Sequence, residues 1–156
     1  MAKAVVREPV DSDFLVWRVL WQQYLAFYET VKSERHAESL WQRLFDTDEP
    51  AECLVAEMEG GVVGIVHYLP HADTWDERSI CYVSDLFVDP AARGKGVGRL
   101  LLGAVGQRAK LQGWSSVYWQ TAESNNHARI LYDRITGGAS GFIIYELDLG
   151  KDRSTT

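Results

Sequence analysis

Apolar residues along this chain follow two periods, and the switch from one to the other lays out its elements. Phe14, Trp17, Leu20, Trp21, Tyr24 and Phe27 recur every three or four positions in "DFLVWRVLWQQYLAFYE", the spacing of one helix face. Asp11 or Ser12 stands where its N-cap belongs, and "AVVREPV" before it reads as a short strand. Ala37, Leu40, Trp41, Leu44 and Phe45 form a second helical stripe behind Ser33, a suitable cap. "ECLVAEMEGGVVGIVHYL" reads as two strands joined at Gly60-Gly61, a hairpin signal because both residues tolerate positive φ. "PHADTWDER" is a loop, and the β-branched, aromatic run "SICYVSDLFV" is a strand ended by Asp89-Pro90.

Helical spacing returns in "VGRLLLGAVGQRAKLQ", with Val97, Leu100, Leu101, Ala104 and Val105 on one face and Gly113 as C-cap. Gly103 and Gly106 inside this helix cost about 1 kcal/mol each against alanine, and close packing against a neighbour is the expected reason. "WSSVYWQTA" is a further strand, and "NNHARILYDRI" a short helix carrying Ala128, Leu131, Tyr132 and Ile135 on one side. "SGFIIYELDL" closes the order βααβββαβαβ as a final strand. Such an order predicts an α/β (α+β) fold, a mixed sheet with helices on its faces. No repeat, low-complexity tract or linker divides it, so one domain is expected over residues 1–150, with 151–156 as a flexible tail.

Composition narrows the function classes. The 156 residues carry a net charge of −6, against the basic stripe that nucleic-acid binding needs. No run nears the ~18 apolar residues of a membrane span, and "MAKAVVREPVDSDF" lacks the layout of a signal peptide. A cytoplasmic protein with neither nucleic acid nor membrane as partner is the expectation. Cys53 and Cys81 lie far apart in strand-like runs and read as buried, inert thiols. His36, His71 and His127 show no metal-ligand pattern, and no metal is expected.

One stretch departs from this acidic background. "DPAARGKGVGRLLLGAV" places Gly94, Gly96 and Gly98 among Arg93, Lys95 and Arg99, between a strand and a helix. Backbone N–H groups at a helix start lack intrahelical acceptors, and the helix dipole favours an anion there. The glycines allow a phosphate to approach the main chain. The competing reading is a plain connection from strand to helix. The spacing matches neither G-x-x-x-x-G-K-[ST] nor G-x-G-x-x-G.

Instead "RGKGVG" fits [RQ]-x-x-G-x-[GA], and "YVSDLFVDPAARGKGVG" resembles the strand and coenzyme A pyrophosphate loop of the GNAT N-acetyltransferases. "ESNNHARILYDR" is similar to the family's later N-x-x-A-x-x-L-Y element, through Asn125, Ala128, Leu131 and Tyr132. Together the two matches cover about half the chain. The resemblance implies a mostly antiparallel twisted sheet with helices on both faces and a splayed central strand pair. It implies acetyl transfer from acetyl-CoA to a primary amine by direct attack in a ternary complex. The acceptor would be a small molecule, a polyamine or other amino compound, or a basic peptide. Longer acyl-CoA use and a non-catalytic CoA-binding module are the alternatives, and a nucleotide-binding domain is a third.

Roles carried over by the resemblance follow the motifs. The backbone of Leu86, Phe87 and Val88 would pair with the pantetheine arm, and an N–H near Leu86 would polarise the thioester carbonyl. Amides of Gly94, Lys95, Gly96, Val97, Gly98 and Arg99, with Arg93 beside them, would hold the pyrophosphate, and Asn125 would contact the coenzyme arm. Tyr132 would protonate the departing thiolate, although its spacing also suits a core aromatic. A glutamate often precedes the aspartate on the splayed strand of polyamine-acetylating members, but Ser84 stands there, followed by Asp85. Asp85, His67, Glu123 and Glu29 are the candidates for the base. Strand alternation sets Ser84 and Asp85 on opposite faces, which allows Asp85 a structural role instead. A hydrogen-bonded strand histidine is the competing reading of His67. Tyr24, Phe27, Tyr28, Glu29 and Ser84 are the acceptor-site candidates, an aromatic and acidic lining that would suit a cation. "DRITGGASGF" displaces the usual GF element after the tyrosine. Members are often homodimers, and six tryptophans would suit an apolar contact.

Overall fold

Residues 2–150 are described by the structure, a computed structural model; the tail expected at 151–156 lies outside them. The chain forms two compact units, one up to Gln120 and one from Thr121 onward. The first contains β1 (Val5–Arg7), α1 (Phe14–Phe27), α2 (Glu34–Phe45), β2 (Glu52–Met58), β3 (Gly61–His71), β4 (Ile80–Val88), α3 (Val97–Gln112) and β5 (Val117–Tyr118). Its sheet runs β1-β2-β3-β4-β5, antiparallel through β4 and parallel between β4 and β5. This is the expected mixed, mostly antiparallel sheet.

Trp17, Leu20 and Trp21 of α1 and Ala37, Trp41 and Leu44 of α2 share one core with Cys53, Val55, Ile65 and Phe87. Ring centroids of Trp17 lie 6.1 Å from Trp21 and 5.0 Å from Trp41, contacts that add about 0.5–1.5 kcal/mol each beyond burial. Successive strand residues face opposite sides of a sheet, and Gly64, beside Ile65, meets α3. A Cβ at Gly64 would sit 3.0 Å from both Leu101 Cδ1 and Val97 Cγ1. Helices α1 and α2 therefore cover one face and α3 the other. Both cysteines are buried, and burial pushes the Cys81 thiol up to about 12.

Several local expectations are corrected. The start of α1 is organised by Asp13, after a 3-10 turn at Asp11–Asp13, and not by Asp11 or Ser12. Its carboxylate caps no helix amide; it takes Arg7 Nη1 at 2.7 Å, Arg7 Nη2 at 3.0 Å and the Val10 N–H at 2.8 Å. Ser33 does cap α2, accepting the His36 N–H at 3.1 Å. The hairpin reverses one residue early: Glu59 (φ 53) and Gly60 (φ 79) form the turn, while Gly61 already pairs with Met58. Leu100, Phe27 and Phe45 are exposed, so each apolar stripe is narrower than its spacing suggests. Gly103 and Gly106 pack against nothing, since a Cβ at either would meet no atom within 4 Å. The strand expected in "WSSVYWQTA" shrinks to Val117–Tyr118.

The second unit contains α4 (Asn126–Thr136), capped by Asn125 and ended at Gly137 in the left-handed region (φ 88). The closing strand does not form among the described residues. Phe142, Ile143, Ile144, Tyr145, Leu147 and Leu149 are all exposed in an irregular segment. Aromatic and β-branched residues give a segment strand propensity, but a strand also needs a pairing partner.

Candidate active site

The β3–β4 ladder slips between His67 and Tyr68: His67 pairs with Asp85 and Tyr68 with Val83, so Ser84 is the extra residue of a bulge. A bulge breaks strand alternation and re-aims side chains. Ser84 and Asp85 consequently do not lie on opposite faces, as regular alternation predicts. Ser84 Oγ is 3.2 Å from Asp85 Oδ2 and 3.3 Å from the His67 carbonyl. His67, 2% exposed, reaches the same Oδ2 through Nδ1 at 3.0 Å, and the Trp17 indole N–H donates to its Nε2 at 3.0 Å. Tyr24 closes the cluster from α1, its hydroxyl donating to the Ser84 carbonyl at 3.5 Å and helping to hold the Asp85 carboxyl down.

Electrostatics keep this carboxylate ionised. Burial pushes the Asp85 pKa up, but the hydrogen bond from His67 and the attraction of its imidazolium form, followed by Tyr24 and Ser84, outweigh burial and leave it below the ordinary value. Burial, then the Asp85 charge, raises the Tyr24 phenol, which stays protonated. A partly exposed anion thus sits among aromatic rings: Tyr24 lies 6.2 Å from Phe87 and 5.1 Å from Tyr28.

Beyond Tyr82 the outer edge of β4 has no ladder partner among the described residues. Its ladder with β5 holds only Cys81↔Val117 and Tyr82↔Tyr118. The Asp89 N–H donates to the Val63 carbonyl at 2.8 Å. Antiparallel alternation then turns the polar groups of Phe87 toward β3 and those of Leu86 and Val88 toward the open edge. Phe87 therefore differs from the other two: its amide serves the ladder and its ring joins the core.

A 3-10 turn at Pro90–Ala92 carries the chain from this edge to α3. Gly94 (φ 77) and Gly96 (φ 78) adopt left-handed conformations, and a Cβ on either would meet no atom within 4 Å. Gly98 lies in the first turn of the helix without a positive φ. The first helical bond runs from the Leu100 N–H to the Gly96 carbonyl at 3.0 Å. The amides of Val97, Gly98 and Arg99 are left without intrahelical acceptors. Among the described residues, neither Lys95 nor Arg99 forms an ion pair. Arg93 leans back instead: Nε donates to the Val88 carbonyl at 3.1 Å and Cζ lies 5.4 Å over the Phe87 ring.

The structure thus gathers Tyr24, Tyr28, Ser84, Asp85 and the base candidate His67, and it adds Trp17. Of these, Trp17 was hidden as one more core aromatic, with no local signal for its polar role. Phe27 touches Tyr28 at 5.1 Å but is exposed, and Glu29 (φ 55) sits past the helix end outside the cluster. In the second unit Asn125 is committed to its helix: it accepts the Ala128 N–H at 3.4 Å and donates to Thr121 Oγ1 at 3.2 Å. Tyr132 is half-buried on α4, and Glu123 is exposed. Among the described residues, no group of three His, Cys, Asp or Glu side chains could hold a metal ion, and no helix is long and apolar enough to cross a membrane.

Known proteins share both sequence and fold. The D-amino-acid N-acetyltransferase HPA3 of Saccharomyces cerevisiae is 36% identical over 130 residues, spanning 82% of this chain and 80% of that protein. The uncharacterized N-acetyltransferase YhfO of Bacillus subtilis is 31% identical over 129 residues, spanning 83% and 86%. Among solved structures, the aminoglycoside N-acetyltransferase AAC(6')-Iy in complex with CoA superposes with a TM-score of 0.79 at 16% identity, over 96% of this chain and 97% of that one. The model of the acetyltransferase (GNAT) family matches residues 16–137. An open β4 edge beside an anion-ready helix start is therefore found on a chain that belongs to the GNAT acetyltransferase family, whose reaction is acetyl transfer to an amine.

Proposed function

We propose that this chain acetylates the primary amine of a small amino compound, with acetyl-CoA as donor. The carrying observation is the junction of β4 and α3, where outward polar groups of Leu86 and Val88 lead into a turn of left-handed glycines and orphan helix amides. This junction fits a diphosphate followed by an extended amide-bearing arm. Main-chain amides from Gly94 to Arg99 hold the diphosphate, with Lys95 and Arg99 adding positive charge. Leu86 and Val88 pair with the arm like an added strand, while Phe87 backs them from the core. Acetyl-CoA supplies an activated thioester, whose carbonyl oxygen is met by an outward amide at Leu86.

Asp85 serves the amine. An alkylammonium with a pKa near that of lysine, about 10.4, must lose a proton before or during attack. The ionised carboxylate draws the cation in; one ammonium proton passes to solvent to free the lone pair, and a second passes to Asp85 as the new N–C bond builds positive charge on nitrogen. The C–S bond breaks, and the thiolate takes a proton from the Tyr132 phenol. A tyrosine near pKa 10 facing a thiol near 8.5 is a weak acid for this purpose, so Tyr132→Phe lowers kcat by about 10²-fold at most.

Support for a small acceptor comes from the relative named as a D-amino-acid N-acetyltransferase and from neighbours named as aminoglycoside acetyltransferases. Thiol release from acetyl-CoA over a panel of D- and L-amino acids, aminoglycosides, polyamines and basic peptides tests the proposal. Amine-dependent release with an amino-acid-sized or aminoglycoside acceptor is expected. Release with basic peptides alone overturns the substrate class, and CoA binding without any amine-dependent release overturns catalysis.

A further inference from the structure

We infer that Trp17 locks His67 as its neutral Nδ1–H tautomer, so that the imidazole orients Asp85 without cancelling its charge, and that this makes the acceptor site select a cationic amine. The inference rests on the reading that Asp85 faces the amine. It makes Trp17 and His67 positioning residues.

Hydrogen-bond chemistry assigns the tautomer. An indole nitrogen only donates, so His67 Nε2, 3.0 Å from Trp17 Nε1, must present its lone pair. A neutral imidazole has one remaining proton, and it lies on Nδ1, directed at Asp85 Oδ2 at 3.0 Å. Protonating His67 would set two N–H donors against each other between residues that are 0% and 2% exposed. A buried donor left without an acceptor is strongly disfavoured. Neighbouring rings leave little room for rearrangement, with the Trp21 centroid 5.3 Å from that of His67 and His36 stacked on Trp21 at 6.3 Å.

Titratable neighbours offer no other compensating charge. Cys53 on β2, paired in register with His67, is held as the thiol by burial. Tyr24 on α1 and Tyr82 on β4 are both raised, chiefly by burial and then by Asp85, and stay neutral. Asp85 therefore carries the net charge of the cluster. His67 and Ser84 both engage Oδ2, and Oδ1 carries neither of them.

Nitrogen-15 NMR of the wild-type protein tests the lock without any variant. His67 is expected to show one tautomer, protonated at Nδ1, unchanged from pH 6 to pH 8; a proton on Nε2, or titration in that range, overturns the inference. Trp17→Phe removes the indole donor and should let His67 protonate, pairing off the Asp85 charge. Calorimetry with butylammonium, in the presence of CoA, then reads the consequence. If protonation abolishes binding, affinity falls about fourfold from pH 8 to pH 6, the change in the neutral fraction of a free imidazole. Wild-type affinity should stay constant over the same range, and equal pH dependence in both proteins overturns the lock. Asp85→Asn separates the two layers. Unchanged butylammonium affinity in that variant overturns the underlying reading, whereas lost affinity together with a titrating wild-type His67 overturns the lock alone.

Discussion

Two glycine-to-alanine substitutions, chemically identical and both touching α3, should move stability in opposite directions. At Gly64 the added methyl would lie 3.0 Å from Leu101 Cδ1, 3.0 Å from Val97 Cγ1 and 3.4 Å from the Phe87 carbonyl oxygen. Carbon contacts are optimal nearer 3.5–4.0 Å, so the helix must give by several tenths of an ångström. Overpacking of this kind costs about 1–3 kcal/mol. Restricting the unfolded chain returns about 0.4–1 kcal/mol, leaving a net loss of about 0–2.6 kcal/mol. At Gly103 the methyl meets nothing within 4 Å, and helix propensity contributes about 1 kcal/mol of stabilisation. In a domain of this size 1 kcal/mol shifts Tm by about 2–4 °C, so the two variants should melt roughly 2–14 °C apart. Thermal denaturation followed by circular dichroism, with guanidinium midpoints alongside, makes the comparison. Because Val97 opens α3, Gly64→Ala should also weaken CoA binding, whereas Gly103→Ala should not. A Gly64→Ala protein more stable than wild type would refute the packing of α3 on β3 described above.

Further outcomes follow from the site. Asp85→Asn removes both the attracting charge and the proton acceptor and should lower kcat/KM for cationic amines by about 10²- to 10⁴-fold; steady-state kinetics with the best panel acceptor checks it. Gly96→Ala forces a side chain into the left-handed region at a cost of about 1–2 kcal/mol. If the loop moves to avoid this, calorimetry should show CoA affinity down by about 5- to 30-fold. The hydrogen-bonded Arg7 guanidinium holds the Asp13 carboxyl below its ordinary pKa, against the effect of burial, and Asp85 is likewise depressed. Stability from depressed carboxylates is fully present above the unfolded value near 3.9 and is lost as pH falls through the lower folded values. Tm should therefore drop on acidification below about pH 4, and Asp13→Asn should flatten part of that drop.

Much of this was legible because it is local. Gly94 and Gly96 announce left-handed backbone, Ser33 and Gly113 announce helix ends, and the strand–turn–helix context gives the glycine turn its meaning. The hidden parts are long-range. The Ser84 bulge depends on how β3 and β4 register, and nothing in "YVSDLF" alone marks the extra residue. The contact from Trp17 to His67 joins positions 50 apart, on a helix face whose spacing signals only burial. Gly64, Gly103 and Gly106 look alike in the sequence, but only the first has a neighbour where its side chain would be. The run from Phe142 to Leu149 is aromatic and β-branched at its start and alternates only from Tyr145, a strand-like composition, yet a sheet edge for it is a property of the folded whole.

The most direct measurement is an amide-resolved NMR titration of the protein with CoA. Saturable shifts concentrated in the N–H resonances of Gly94 to Arg99, with those of Leu86 and Val88 moving more than that of Phe87, are predicted. A titration that reaches saturation elsewhere while those loop amides stay in place would contradict the account.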